Sequence, residues 1–262
     1  MIQVGKPVRL RKIAARRRRR RFILRVIGLF VLVAVLSGVV HAFSSYITVS
    51  PRFQVKKIRV EGAIMLKEEA ILAVAGITNK DNLWLFDSAA IQHRVESMPY
   101  VKRCEVQRVY PDLVIIRIEE RTPAASLVVN TRVYEIDVDG VPLRELVLRD
   151  PPTGPLITGI PNLDGVELSQ KIESPELKTA LETWRAFSTI PLAAEITLSE
   201  ISMADPLKIV TFFDDTAFEV RWSAQNLMQQ AQRLDFLWHE RKGLFPCNIY
   251  LDLRFENEIA CK

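Results

Sequence analysis

Asp137-Val138-Asp139-Gly140 is the densest grouping of chemistry-bearing residues in the chain, and its Asp-x-Asp-Gly spacing is that of the opening ligands of a calcium loop. Such a loop needs a bidentate Glu at its twelfth position. Counted from Asp137, that position is Leu148. The segment reads instead as a hairpin turn in which Gly140 supplies a positive φ. The acid pairs Glu119-Glu120 and Asp214-Asp215 are adjacent in sequence. On a strand they point to opposite faces and cannot share the work of a general acid and base. His41, His93 and His239 are far apart and read as structural or solvated. No Gly-x-x-x-x-Gly-Lys loop, Gly-x-Ser-x-Gly elbow, His-Glu-x-x-His pair or Ser-x-x-Lys dyad occurs. The expectation is a non-enzymatic chain: no catalytic, cofactor-binding or metal-ligating residue, and no small-molecule substrate.

Three cysteines, an odd number, argue against a disulfide-stapled scaffold. A terminal hairpin turning at Asn257 would set Cys261 opposite Leu253 and leave Cys247 facing a position past the end. Cys104, Cys247 and Cys261 are therefore expected as free, largely buried thiols.

Charge is divided sharply along the chain. Residues 1–25 hold 11 of the 36 Lys and Arg and no acid, and the first acid anywhere is Glu61. The rest carries 25 bases against 31 acids, a net of −6. A basic end on a mildly acidic body is not a uniformly basic nucleic-acid binder. Arg16, Arg17, Arg18, Arg19, Arg20 and Arg21 form an unbroken run, followed by an apolar segment over 22–43. At 1.5 Å per residue, 22 residues make about 33 Å of helix, enough for a ~30 Å hydrocarbon core. Arg25 lies one turn inside, where its side chain can snorkel to the headgroups. The arginines set topology by the positive-inside rule: N-terminus in the cytoplasm, body outside, with anionic lipid headgroups as partners of the basic tail. Val40-His41-Ala42 resembles a cleavage site, but the apolar segment and the basic leader are both long for a signal peptide. The expectation is an uncleaved single span.

The elements that follow a stalk at 44–52 read as β-α-α-β-β over 53–121. Phe53, Val55, Ile58 and Val60 mark a strand ended by Gly62. A helix is expected over 66–74, stopped by Gly76, and a second from Asp87 or Ser88 through Val95. Strands at 101–109 and 113–119 flank the Tyr110-Pro111-Asp112 turn. The remaining 122–262 reads as a mainly antiparallel sheet with two principal helices. Short strands at 127–130 and 133–137 precede a Pro- and Gly-rich connection at 150–164. Ser174-Pro175-Glu176 opens one helix, with Leu177, Leu181 and Trp184 on its apolar face. Strands at 196–203, 208–213 and 218–222 follow. Ser223 is expected to cap a helix facing inward with Leu227, Ala231, Leu234 and Trp238. The chain ends in a strand at 248–255, a turn at 256–258 and a return at 259–261.

Several motifs carry a family resemblance: Phe53-x-Val55-x-x-Ile58-x-Val60-x-Gly62, Tyr110-Pro111-Asp112-Leu113-x-Ile115, and Glu120-Arg121-x-Pro123-x-Ala125. In this order after a single span they resemble the POTRA domain of the bacterial division family FtsQ, called DivIB in Gram-positives. Ile136-Asp137-x-Asp139-Gly140 and Leu251-Asp252-Leu253-Arg254-Phe255-x-Asn257 resemble that family's β domain. One departure is Trp222-Ser223, where the family usually has Leu-Gly. The resemblance implies an α+β protein in five parts: a cytoplasmic tail (1–21), a transmembrane helix (22–43), a stalk (44–52), a POTRA domain (53–121) and a β domain (122–262). It implies a bitopic inner-membrane scaffold at the division septum, with its body in the periplasm or its equivalent. The implied partners are other division proteins, notably a coiled-coil pair of the FtsB–FtsL type. Phe255, Asn257 and Ile259 match the family's contact region. Phe255 and Ile259 straddle a turn and either form an apolar anchor beside an open strand edge or close the sheet. A POTRA-bearing secretion component with chaperone-like peptide binding is the alternative function.

Overall fold

The computed structural model describes residues 8–262 apart from 148, 215, 217, 245–246 and 256–257, with side chains from residue 22 onward. The first element is the long helix α1 (Val8–Val49), which includes the apolar stretch Phe22–Val49. The expected stalk is thus helical as far as Val49. Nothing between Gly38 and Pro51 breaks a helix, and the Thr48 hydroxyl donates to Ser44 O and Ser45 O. Proline ends it, forcing Ser50 to an extended ψ of 126°.

The next elements are β1 (Lys57–Glu61), α2 (Glu68–Ala75), α3 (Ser88–Glu96), β2 (Val101–Val109) and β3 (Leu113–Glu120). The expected β-α-α-β-β order holds. The three strands form one sheet in the order β1-β3-β2, so the almost wholly apolar β3 is central. Its Val114, Ile116 and Ile118 are buried. Gly62 has φ +88°, and a Cβ there would lie 2.1 Å from Ile118 O, so the close approach of backbone requires glycine.

Nine further strands follow among the described residues: β4 (Pro123–Val129), β5 (Arg132–Asp137), β6 (Pro142–Leu146), β7 (Leu156–Thr158), β8 (Leu198–Ser202), β9 (Ile209–Phe213), β10 (Glu219–Trp222), β11 (Tyr250–Asp252) and β12 (Ala260–Cys261). They make a second sheet in the order β12-β11-β10-β9-β8-β7-β4-β5-β6. The sheet is mainly antiparallel; the pairs β4·β7, β7·β8 and β10·β11 are parallel. Two helices pack on it, α4 (Pro175–Ser188) and α5 (Leu227–Glu240). Leu177 and Phe187 of α4 and Ala231 and Leu234 of α5 join Leu127, Ile157, Ile201 and Trp222 in one apolar cluster. The buried indole of Trp222 is satisfied by donating to Thr211 Oγ1 at 2.8 Å.

β6 is the return strand of the hairpin expected at 137–140, pairing antiparallel with β5. Two local expectations are corrected. β7 occupies the middle of the sheet although its surroundings are rich in Pro and Gly, because parallel partners on both sides supply its ladder. Ser223 does not cap α5: the N-cap is Asn226 in the left-handed region. Gln230 instead reaches back, accepting from Ser223 N at 3.0 Å and donating to Ser223 O at 3.1 Å. Ser174 caps α4 as expected, accepting from Leu177 N at 3.1 Å.

Two compact units are distinguishable. One joins α1 and the residues up to Arg59 to Ile77–Ser88 and Gln107–Ile115; the other comprises Val60–Gly76, Ala89–Val106 and Ile116–Lys262.

Candidate partner-binding edge

β12 ends the nine-stranded sheet. Among the described residues it pairs with β11 alone, Cys261 against Leu251 and Ala260 against Asp252. Lys262 continues the ladder, its N–H donating to Tyr250 O at 3.1 Å. The Lys262 carbonyl then accepts from Asn248, Ile249 and Tyr250 N–H groups at 2.9, 2.7 and 3.2 Å. The backbone before β11 is therefore wrapped around one carbonyl rather than extended.

That wrapping overturns the expectation for the cysteines. Cys247 and Cys261 are disulfide-bonded, with Cα atoms 5.2 Å apart. Cys261 sits opposite Leu251, two residues from the expected Leu253, and the curl at 247–249 brings Cys247 to it. Cys104 is free and buried, and burial pushes its thiol up to about 11.

Of the three expected contact residues, Phe255 is 51% exposed and Ile259 is partly buried against the apolar cluster. Asn257 lies outside the described residues, as does most of the expected turn at 256–258. Ile259 thus contributes to closing the sheet, while Phe255 stands clear of it. The backbone beneath Phe255 is held by α5: Arg233 Nη1 donates to Phe255 O at 2.6 Å and Nη2 donates to Leu253 O.

Sequence reasoning missed the charged clamp behind the edge. Arg254 meets the buried Asp252 in a two-pronged pair, Nε to Oδ1 at 3.0 Å and Nη2 to Oδ2 at 2.7 Å. Burial alone would raise the Asp252 carboxyl; the Arg254 guanidinium and backbone N–H outweigh it and hold the group below the usual carboxylate range. The signal was present, because residues two apart share one face of an extended chain. On the neighbouring β10, Arg221 lies over the Tyr250 ring at 3.7 Å and its carbonyl accepts from Leu253 N at 2.9 Å. Together these fix a short strand that, among the described residues, has a strand neighbour on one side only.

The other singled-out residues fall elsewhere. Arg16 to Arg21 lie on α1, their side chains outside the described ones, and Arg25 is exposed on the same helix. His239 is not simply solvated: Nε2 is 3.1 Å from Glu195 Oε1 and Nδ1 is 2.8 Å from Asp235 O. Asp137 is 2% exposed and forms the expected turn, accepting Asp139 N and Val141 N on Oδ1 and Arg121 Nη1 on Oδ2 at 2.6 Å. Its two oxygens are thus engaged by the turn and by Arg121. Among the described residues no three His, Cys, Asp or Glu side chains converge as a metal site requires.

Residues 53–121 match the family model described as POTRA domain, FtsQ-type. Over 234 residues the chain is 27% identical to the cell division protein FtsQ of Myxococcus fulvus, covering 88% of this chain and 81% of that one. It is 27% identical over 241 residues to the FtsQ of Syntrophotalea carbinolica, covering 90% and 81%. Against the FtsQ of Koribacter versatilis it is 25% identical over 260 residues, covering 97% and 73%.

Proposed function

The chain belongs to the FtsQ/DivIB family of bacterial cell division proteins, and from that premise we propose that it is a non-enzymatic, bitopic scaffold of the division machinery. In this reading α1 crosses the inner membrane once with its N-terminus in the cytoplasm, and the arginines at 16–21 lie against anionic headgroups. The body works outside that membrane, at the septum, as a POTRA domain at 53–121 and a β domain at 122–262. The family-model match over 53–121 supports that division, as does an apolar cluster drawn from residue 125 onward.

The scaffold recruits other division proteins by strand addition, and an extracytoplasmic segment of an FtsB–FtsL-type pair is the proposed occupant. The observation that carries this is β12: a two-residue strand at the end of the sheet order, with Phe255 exposed three residues past β11. A partner strand there gains backbone hydrogen bonds, and Phe255 supplies an apolar anchor. Replacing Phe255 by Lys is expected to cost about 1–3 kcal/mol of affinity, several-fold to a hundredfold, with the melt unchanged. Titration with the partner's extracytoplasmic segment, alongside a circular dichroism melt, checks both. Unchanged binding would remove Phe255 from the interface, and a collapsed melt would show that it serves the fold.

A further inference from the structure

The last turn of a helix leaves carbonyls without intrahelical partners. In α1 two of them are taken by a distant side chain: Asn82 Nδ2 donates to Ile47 O at 3.0 Å and to Thr48 O at 2.9 Å. Asn82 is itself fixed. It is buried, its Oδ1 accepts the Trp84 N–H at 2.8 Å, and its backbone bridges Gln54. Leu83 N donates to Phe53 O at 2.9 Å, and Val55 N to Asp81 O at 3.0 Å. The loop around residues 81–85 is thus clamped to the helix end.

What the clamp presents to solvent is aromatic and apolar. The Trp84 ring lies 6.2 Å from Phe53 and 5.0 Å from Tyr110, yet Trp84, Leu85 and Tyr110 are 48%, 69% and 46% exposed. Tyr46 and Val49 on the last turns of α1 are exposed too. The surrounding segments 50–59, 77–88 and 107–115 carry six bases (Arg52, Lys56, Lys57, Arg59, Lys80, Arg108) against three acids (Asp81, Asp87, Asp112). Asp112 is already paired with Lys56 at 3.8 Å, and Asp81 accepts Thr78 N at 2.7 Å.

Helix length sets the level of this patch. Phe22–Val49 is 28 residues, about 42 Å at 1.5 Å per residue. A bilayer has a ~30 Å hydrocarbon core and is about 40–45 Å thick with its headgroups. A helix entering at Phe22 therefore brings Ile47 and Thr48 to the headgroups of the far leaflet. Trp and Tyr favour that layer, and cations favour its anionic members.

We propose that Trp84, Leu85, Tyr110 and Phe53, with the bases around them, form a second membrane contact: a collar seated in the extracytoplasmic headgroup layer where α1 emerges, selective for anionic lipid. The collar rests on α1 spanning the membrane. It makes the helix and the first compact unit one lever, held at the bilayer surface instead of swinging on a stalk.

The test uses the full chain in vesicles whose lipids carry bromine on the acyl chain near the headgroup, a contact quencher of indole emission. The Trp84 contribution is the difference between the parent and Trp84→Phe. That difference is expected to fall at least twofold in brominated vesicles and further when the lipids include phosphatidylglycerol. A Lys57→Glu/Lys80→Glu variant is expected to lose the phosphatidylglycerol increment. A Phe30→Trp reporter in the Trp84→Phe background separates the two readings. A quenched reporter indole together with an unquenched Trp84 overturns the collar alone. An unquenched reporter overturns the span and the collar with it. Equal quenching with and without phosphatidylglycerol overturns the anionic selectivity.

Discussion

At one end of the nine-stranded sheet, β6 opens with Pro142, whose carbonyl accepts Ser169 N at 3.0 Å. Its Arg144 is tied to Glu135 at 3.1 Å and to Asp150 at 2.8 Å. At the other end, β12 has two residues, no proline, and a disulfide at its last position. Proline without an N–H and charged side chains are how natural sheets discourage strand addition. The β6 edge carries both, and a loop bonded to its first carbonyl. The two residues of β12 carry neither, although Lys262 extends its ladder; the strand is pinned in place and, among the described residues, has no strand beyond it. If partners add at the β12 edge as proposed, this asymmetry keeps the sheet from also adding strands at β6.

The comparison breaks most completely at Asp137, which supports the guarded end. Its carboxylate meets Arg121 at 2.6 Å, with side-chain exposures of 2% and 17%, and accepts two turn N–H groups besides. Asp137→Ala leaves two turn donors unsatisfied and the half-buried Arg121 guanidinium with only the more distant Asp139, 4.0 Å away. It is expected to destabilise by about 3–5 kcal/mol. A urea titration measures the loss. Partner affinity per folded molecule is expected to be unchanged, since β12 lies at the far end of the sheet; a parallel loss of affinity would show that the two ends are coupled.

The open end depends on its covalent pin. Cys247 and Cys261 are 14 residues apart, and closing a loop of about that size is worth about 2–4 kcal/mol. A Cys247→Ser/Cys261→Ser variant is expected to lose that much stability. Its β12 amides should exchange faster in hydrogen-exchange measurements while those of β6 do not. Affinity for the partner segment should fall with them, because a frayed strand must be ordered before it can template another. Unchanged exchange at β12 would mean that the backbone bonds to Tyr250 suffice.

How much of this was legible beforehand differs between the same two ends. Elements with several residues of one period were readable: α4 with its Ser174 cap, the continuous apolar β3, the β9 run. β6 was legible only as the return of the hairpin at 137–140; its bounds were not, because a proline and alternating charge resemble loop. β7 was hidden because three residues carry no period, and its parallel partners lie about 30 residues before it and 40 after. The disulfide was missed through a register error of two residues, compounded by the curl around the Lys262 carbonyl, which no local pattern announces. Phe255 was readable as an exposed apolar residue beside an edge; the Asp252–Arg254 clamp was equally available and passed over.

That clamp gives the open end a pH dependence. Asp252 titrates lower in the folded chain than in the unfolded one, where about 3.9 is ordinary. Its contribution is therefore complete above that ordinary value and disappears as pH falls through the folded one. Arg254 and Arg221 are the charges that sustain it. The contribution at neutral pH is expected to be about 1.5–3 kcal/mol, typical of hydrogen bonds to a charged group. Asp252→Asn should lose it at pH 7 and show a shallower decline than the parent as pH falls below about 4, measured by denaturant melts at successively lower pH. Glu135 at the guarded end also titrates low. Burial raises it, and hydrogen bonds from Thr153, Tyr100 and Arg144 more than compensate. The residual slope in the variant therefore includes the other edge, and an identical slope in parent and variant would remove Asp252 from the account.

The smallest expected effect falls on the exposed face of β6. Glu145 stands opposite Tyr134 in the ladder, and its carboxylate lies 3.6 Å from Arg132, with both side chains largely in water. An exposed pair of this kind contributes little, because solvent screens it and two long side chains lose freedom to hold it. Glu145→Lys reverses the charge and places two cations together, and even so the melt should stay close to that of the parent. The informative quantity is binding. If partners approach by the β12 edge, a charge reversal on β6 leaves their affinity within twofold, whereas Phe255→Lys weakens it several-fold or more. A titration in which Glu145→Lys weakens binding as much as Phe255→Lys would mean that the guarded edge is also used. Proline and paired arginine would then be serving recognition at that end, and the asymmetry between the two edges would have to be read in the opposite sense.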